Sequence, residues 1–481
     1  MTMTAHNAAD EADQVAREQA QTMLHTMLQD LIQIDDRPEI WAAFPQFLRA
    51  LPLFSTVIRE THAAAMRSNP KVDLFLAIAL EILVAMCDAH EGQLPGATAR
   101  LTRAAGMQGN SLLLQGALFH VQGLADPANP KYRLEERFCP KPFLQLHVLE
   151  NTAHQCCANW LPASAGDLSR SDGESVWNSQ TAQAVRASIH DGSYRHCNKT
   201  LCPEIQAGVL PTKQAAMAQW PGLAALIAEQ ETAMPHGPQD VNLAYDVTCN
   251  LSCPSCRTTK QAADAATRER YSAMQERAIL PMLRDAKSVF ITGSGDPFAS
   301  KNFRQLMERL TADDYPDLRF RIMTNAMLLT PREWEKFPSL HGRVQSLQIS
   351  IDGASKQTHE LLRRGARWEV MEENLRFAAD LHAQGLVELL YLSFTVQVDN
   401  FHEMGAAVDL AESLGVTGLY FGKMTNWGTF SPEEYAQKAV FTPTHPQYRD
   451  FLAVMADPRL RSPRAILGNL VDYLPEQAVA A

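Results

Sequence analysis

The sequence predicts an α/β protein: a partial (β/α)6 TIM-like barrel, preceded by a small cysteine-rich module and an N-terminal all-helical region. Three observations carry this. β-Branched runs alternate regularly with helical stretches from residue 240 onward, cysteines crowd into 139–202, and the first 134 residues show only helical periodicity.

Residues 1–134 are rich in Ala, Leu, Met, Gln and Glu, and apolar residues recur at helical spacing, as in Leu74, Ile78, Ile82 and Met86. Residues 135–235 hold the cysteine module, punctuated by Pro140, Pro142, Gly166, Gly173 and Gly192, followed by a helical linker. A proline-containing stretch, Met234-Pro-His-Gly-Pro238, leads into the barrel, expected over 236–430, and 431–481 reads as a C-terminal helical extension. Six strands are expected at 241–247, 288–292, 318–324, 344–351, 388–398 and 416–421. Alternating units of this kind imply parallel strands with right-handed crossovers.

In such a barrel, chemistry belongs at the C-terminal strand ends. The first strand runs into a cysteine loop and the second into Gly293-Ser-Gly-Asp296. The third ends at Asn325 and the fourth at Ser350, Asp352 and Gly353. The fifth ends near Gln397 and Asn400, and the sixth near Lys423, Asn426 and Trp427, candidates for a substrate pocket.

A net charge of −11 argues against a general nucleic-acid or anionic-membrane binder, which needs a basic surface. The longest apolar run, 74–86, is too short to span a bilayer and contains Glu81. The first residues are polar and acidic, unlike a signal peptide, so a cytoplasmic address is expected. Nine cysteines without a secretion signal favour metal ligation or free thiols over disulfides.

Cys249-Asn-Leu-Ser-Cys253-Pro-Ser-Cys256 sets three thiols in one short loop, able to ligate three irons of a cubane cluster and leave the fourth open. A buried helix face would give the same spacing, but Pro254 would break it and Asn250 and Ser252 favour loops. Zinc would need a fourth ligand, and the nearest histidine, His236, lies before the strand.

On this C-x3-C-x2-C loop after a first strand, the chain resembles the radical S-adenosylmethionine (SAM) superfamily across about 240–425. The resemblance implies a 4Fe-4S cluster on Cys249, Cys253 and Cys256 that cleaves SAM. Gly293, Ser294, Gly295 and Asp296 are similar to the family's Gly-Gly-Glu-Pro motif for the SAM amino group, with Asp296 in place of glutamate. Ser350 and Asp352 resemble its ribose-binding strand end, although Asp352 also suits a helix cap. Asn325 matches its Thr-Asn-Gly turn, with alanine in place of glycine. Arg363 and Arg364, with Arg367, fall where relatives grip the SAM carboxylate, and equally suit a solvated helix face. Ser255 stands where relatives often carry an apolar residue against the adenine.

The module from Cys139-Pro-Lys-Pro-Phe143 through Cys156-Cys157, Trp177-Asn-Ser179 and Arg186 to Cys197 and Cys202-Pro203 resembles SPASM or twitch modules, here placed ahead of the barrel. That resemblance implies an auxiliary 4Fe-4S cluster on Cys139, Cys156, Cys197 and Cys202, with Cys157 as an alternative to Cys156. Four thiolates also fit structural zinc. Cys87, in an apolar helical pattern, reads as core. An external flavodoxin- or ferredoxin-like donor is implied, since reducing a sulfonium needs the low end of cluster potentials. Relatives with such modules often modify peptides or proteins. A small molecule, such as a sugar or natural-product intermediate, is the rival substrate, and an electron-carrying protein without catalysis is the third reading.

Overall fold

The computed structural model describes residues 2–31, 36–68, 74–107, 111–292 and 294–475, with side chains from residue 12. The chain forms two compact units, and it crosses between them more than once.

The first unit comprises Met1–Phe143, His154–Ala165 and Asn178–Met234. Its N-terminal part is helical, with helices at Thr2–Leu31, Pro38–Ala50, Phe54–Ser68, Leu74–His90, Leu94–Met107 and Leu112–Ala125. Their apolar stripes meet in one core that includes Trp41, Phe44, Phe54, Ile82, Cys87 and Leu114. Leu74–His90 is buried over most of its circumference, which explains its unbroken apolar sequence. Arg59 and Arg100 both pair with Asp88, at 2.7 and 3.4 Å, and tie three of these helices together. Asp36 is buried against Gly116, where any Cβ would collide with its carboxylate, and pairs with buried Lys199. Burial pushes the Asp36 carboxyl up, against the pull of Lys199 and of the Trp41 indole N–H.

Three histidines of this unit are held neutral. Burial, helped by Lys199, pushes His120 down to about 4, and burial lowers His154 and His190 as well. The unfolded chain binds these protons near pH 6.5 and the folded chain does not. Their stabilising balance is therefore complete above that pH and is lost as the pH falls. His120 alone should cost roughly 2 kcal/mol by pH 5. Urea midpoints at pH 7.5 and pH 5 test this, and His120→Gln should flatten the difference.

The second unit comprises Leu144–Ala153, Gly166–Trp177 and Pro235–Ala481. Its ten strands are β1 (Gln145–Leu149), β2 (Thr152–His154), β3 (Gly166–Asp167), β4 (Asp240–Ala244), β5 (Ser288–Ile291), β6 (Arg319–Thr324), β7 (Val344–Ser350), β8 (Val387–Val396), β9 (Gly418–Lys423) and β10 (Ala465–Ile466). They form one sheet in the order β10-β9-β8-β7-β6-β5-β4-β1-β2-β3. Neighbours from β1–β4 through to β9–β10 run parallel, and β2–β3 is antiparallel.

β4 to β9 are the six strands the alternating pattern predicts, with β4 ending at Ala244 rather than at 247. β1 was not expected. Its five residues sit among turn signals inside the cysteine stretch, too short for a clear period, yet they pair in register with β4 from Gln145↔Asp240 to Leu149↔Ala244. β10, in the C-terminal extension, is likewise too short to read. Along β8, Leu390, Leu392, Phe394 and Val396 are buried while Tyr391, Ser393 and Thr395 on the other face are only partly so. No helix among the described residues is long and apolar enough to cross a membrane.

Candidate active site at the barrel mouth

After β4 the chain does not continue as a helix. Residues 250–256 are irregular, Cys249 bridges to Gln261, and a tight turn closes when the Cys256 and Arg257 amides both donate to the Cys253 carbonyl at 2.9 Å. The helix-face alternative for the three cysteines therefore does not hold.

Each of the three sulfurs receives an N–H donor. Cys249 Sγ accepts from the Leu251 amide at 3.5 Å and Asn325 Nδ2 at 3.6 Å. Cys253 Sγ accepts from Arg363 Nη1 at 4.0 Å, and Cys256 Sγ from Arg257 Nη2 at 3.3 Å. Burial raises the Cys249 and Cys253 thiols, so the deprotonated form needs a metal or these donors to hold it. Among the described residues no three His, Cys, Asp or Glu side chains gather closely enough to hold a single metal ion. The donor chemistry fits a cluster: three thiols in one loop, each with a hydrogen bond of the kind that stabilises cluster-bound sulfur.

The arginines act on this loop. Arg364 Nε donates to the Ser252 carbonyl at 3.0 Å and its Nη2 to the Thr258 carbonyl at 2.7 Å. Arg363 lies half-buried between Cys253 and Asp352, pairing with the carboxylate at 2.8 Å, and is no solvated face. Asp352 spends its other oxygen on the Thr395 amide at 2.8 Å. Its φ of 51° lies in the left-handed region, which Asp tolerates better than most residues. The helix at Lys356–Leu362 is capped by Ser355 instead.

Gly293 lies outside the described residues. Ser294 Oγ donates to the Ala244 carbonyl at 2.9 Å, which ties this strand end to β4. Asp296 is fully buried and accepts from Thr324 Oγ1 at 2.7 Å, the Asn325 amide at 2.9 Å and the Phe298 amide at 3.1 Å. Burial raises its carboxyl despite these bonds. Gly295 packs so tightly that a Cβ would stand 2.5 Å from the Asp246 carbonyl oxygen and 2.6 Å from that of Thr248. Gly295→Ala must push the β5 loop off the cysteine loop, at about 1–3 kcal/mol. A raised SAM dissociation constant by calorimetry, with a lowered melting temperature, is the expected result.

Asn325 bonds Asn250 at 2.9 Å as well as Cys249, and so joins β6 to the cysteine loop. Ala326, where the resemblance puts glycine, has φ 59°. The turn has kept the glycine conformation without the glycine. Ser350 Oγ lies 3.4 Å from Ser393 Oγ across β7 and β8. Lys423 stacks 4.6 Å over the Tyr473 ring, Asn426 braces its own turn, and Trp427 is exposed.

Sequence reasoning missed Arg257 and Glu403. Arg257, directly after the last cysteine, bonds the Val247 carbonyl at 2.6 Å and the Ser294 carbonyl as well as Cys256. Its adjacency to the motif was the only signal. Glu403 accepts from the Ala354 amide at 2.7 Å and Ser355 Oγ at 2.6 Å, contacts that no spacing announces.

In the first unit, Cys139, Cys156, Cys197 and Cys202 come close enough to feel one another's charge, and Cys157 couples to Cys156. Burial pushes Cys139 up to about 12 and Cys156 up to about 11, and raises Cys197 and Cys202. Arg186, fully buried, holds the Pro142 carbonyl at 2.9 Å and the Thr232 carbonyl at 2.8 Å. Asn178 braces the Met234 amide at 2.8 Å, and Ser179 caps the helix Gln180–His190. Cys87 is buried in the helical core.

Residues 247–411 match the family model of the Radical SAM superfamily. The match to a radical SAM domain spans the cysteine loop and β5 to β8. The chain is 29% identical over 196 residues to the AdoMet-dependent heme synthase of Methanosarcina barkeri, covering 39% of this chain and 51% of that protein, so it spans about half the length of this curated relative. Among solved structures it is similar to Streptococcus suis SuiB bound to S-adenosylmethionine, at 13% identity, TM-score 0.29, 47% of this chain and 46% of that one. SuiB bound to its precursor peptide SuiA gives 13% identity, TM-score 0.30, and 52% and 55% coverage.

Proposed function

We propose that this chain cleaves SAM reductively to a 5′-deoxyadenosyl radical, which abstracts hydrogen from a substrate carbon. The observation behind the reading is the hydrogen-bonded trio of sulfurs at the C-terminal mouth of the barrel. A 4Fe-4S cluster on Cys249, Cys253 and Cys256, with one iron open to SAM, would supply the low-potential electron that breaks a carbon–sulfur bond.

The protein's own residues hold and orient. Ser294 and Gly295, with Gly293 by its place in the motif, are assigned to the SAM amino group, and Asp296 ties this segment to β6. Ser350 is assigned to the ribose. Asp352 is assigned to fixing Arg363 beside Cys253 rather than to the ribose, and Arg364 to bracing the loop. Cys139, Cys156, Cys197 and Cys202 are assigned to an auxiliary 4Fe-4S cluster, and a flavodoxin- or ferredoxin-like protein to the role of external electron donor. A reducing, cytoplasmic setting suits nine cysteines, none of them in a disulfide.

For the substrate, the auxiliary module's resemblance supports a peptide or protein. The relative named as a heme synthase favours a small molecule instead. Anaerobic reconstitution with iron and sulfide, followed by dithionite reduction and chromatography for 5′-deoxyadenosine, tests the central reading. Reconstituted, reduced protein that leaves SAM intact would sink it.

A further inference from the structure

The inner face of the barrel is polar where a barrel of this type is ordinarily filled with branched apolar side chains. Phe290 on β5, Arg321 on β6, Ser346 and Gln348 on β7, Tyr391 on β8 and Tyr420 on β9 line a cavity of about 300 Å³. We propose that this cavity is a carboxylate-binding site in which Arg321 anchors an acid group of the substrate. The proposal rests on the SAM-cleaving reading above and adds the class of molecule it acts upon.

Arg321 is built into place. Its Nη2 pairs with Asp240 Oδ1 at 3.1 Å, and its guanidinium stacks 5.5 Å from the Phe290 ring. Asp240 is itself fixed by Ser288 Oγ at 2.8 Å and Gln145 Nε2 at 3.2 Å. This leaves the Arg321 Nε–H buried with no acceptor. Orphaned polar groups of this kind are costly unless something arrives to meet them. A guanidinium with a free edge matches the two oxygens of a carboxylate. Asp240 already balances part of the charge, so a single negative charge fits the lumen better than a phosphate dianion.

The location suits a substrate. Gln348 lies two residues before Ser350 on β7, and Arg321 is in register with Ser346, four residues before it, which puts them about 7 and about 13 Å below the strand end assigned to SAM. An acid group held on Arg321 therefore directs the rest of the molecule towards the mouth. The same chemistry is offered by a free organic acid and by an acidic side chain of a peptide.

The test is calorimetric titration of the cluster-loaded, oxidised full-length protein with SAM present, using glutarate and the blocked peptide acetyl-Gly-Glu-Gly-amide. At least one probe should bind, and which one identifies the source of the acid. Arg321→Gln should weaken that binding by about tenfold to a hundredfold, the worth of a charge-assisted hydrogen bond. Gln348→Glu, which sets an anion inside the cavity while leaving the Asp240 pair alone, should weaken it at least as much. It decides the matter if Arg321→Gln does not fold. Failure of both probes on the wild type, or equal binding by wild type and Gln348→Glu, overturns the proposal. Release of 5′-deoxyadenosine is scored separately: its absence removes the SAM-cleaving reading and leaves the titration to stand on its own.

Discussion

Cys253→Ala is expected to reduce 5′-deoxyadenosine release to background while leaving the auxiliary centre loaded. Cys253 is the buried member of the trio and is flanked by both Cys249 and Arg363. Without its sulfur a cubane at this loop keeps two protein ligands, and Arg363 loses an anionic neighbour. Iron and sulfide per chain should fall by one cluster's worth, and the signal of the site that binds SAM should vanish from the electron paramagnetic resonance spectrum. Removing the Arg257 bonds to Cys256, Val247 and Ser294 instead, by Arg257→Leu, should leave the iron in place with a loss of about 10–100-fold in cleavage rate. Equal iron content in Cys253→Ala and wild type would refute the ligand assignment.

Asp36→Ala should destabilise the first unit by about 3–5 kcal/mol, because it strands the Lys199 ammonium in a buried site. Lys199 lies between Cys197 and Cys202, and the neighbouring Thr200 is bonded to Gln115 of the helical part. The Asp36 amide also donates to the Arg195 carbonyl at 3.4 Å. Losing the pair should loosen this loop, and the iron of the auxiliary centre should fall while that of the SAM site persists. Denaturant unfolding and iron analysis read the two effects. The double variant Asp36→Leu with Lys199→Met, which removes both charges, should recover most of the lost stability. If the double variant is as unstable as Asp36→Ala, the cost lies elsewhere than in the unpaired charge.

The sequence made the six barrel strands visible because strand-like runs alternate regularly with helical stretches from residue 240 onward. It made the cysteine loop visible because Pro254 rules out the competing helix. What it hid are features that depend on distant partners. β1 is five residues long and is defined by its ladder to β4. Asp352, read as a ribose contact or helix cap, and Arg363, read as a carboxylate grip or solvated face, were weighed one at a time, and only the fold shows them as an ion pair beside Cys253. The helical region had no legible role, since nothing in residues 1–134 says that Asp36 reaches Lys199, 163 positions later. Arg321 carries no motif of its own, and its cavity is defined by neighbours across the barrel.

The parallel pairing of β1 with β4 has a consequence for how the chain is made. Gln145 leaves the ribosome 95 residues ahead of Asp240. At the usual rate of synthesis that interval lasts about 5–20 s, during which β1 has no partner from the barrel. A shortened gene that starts at residue 236 would lack the strand altogether and leave β4 as a bare edge open to pairing with other chains. Workable fragments of this protein must therefore begin before residue 145.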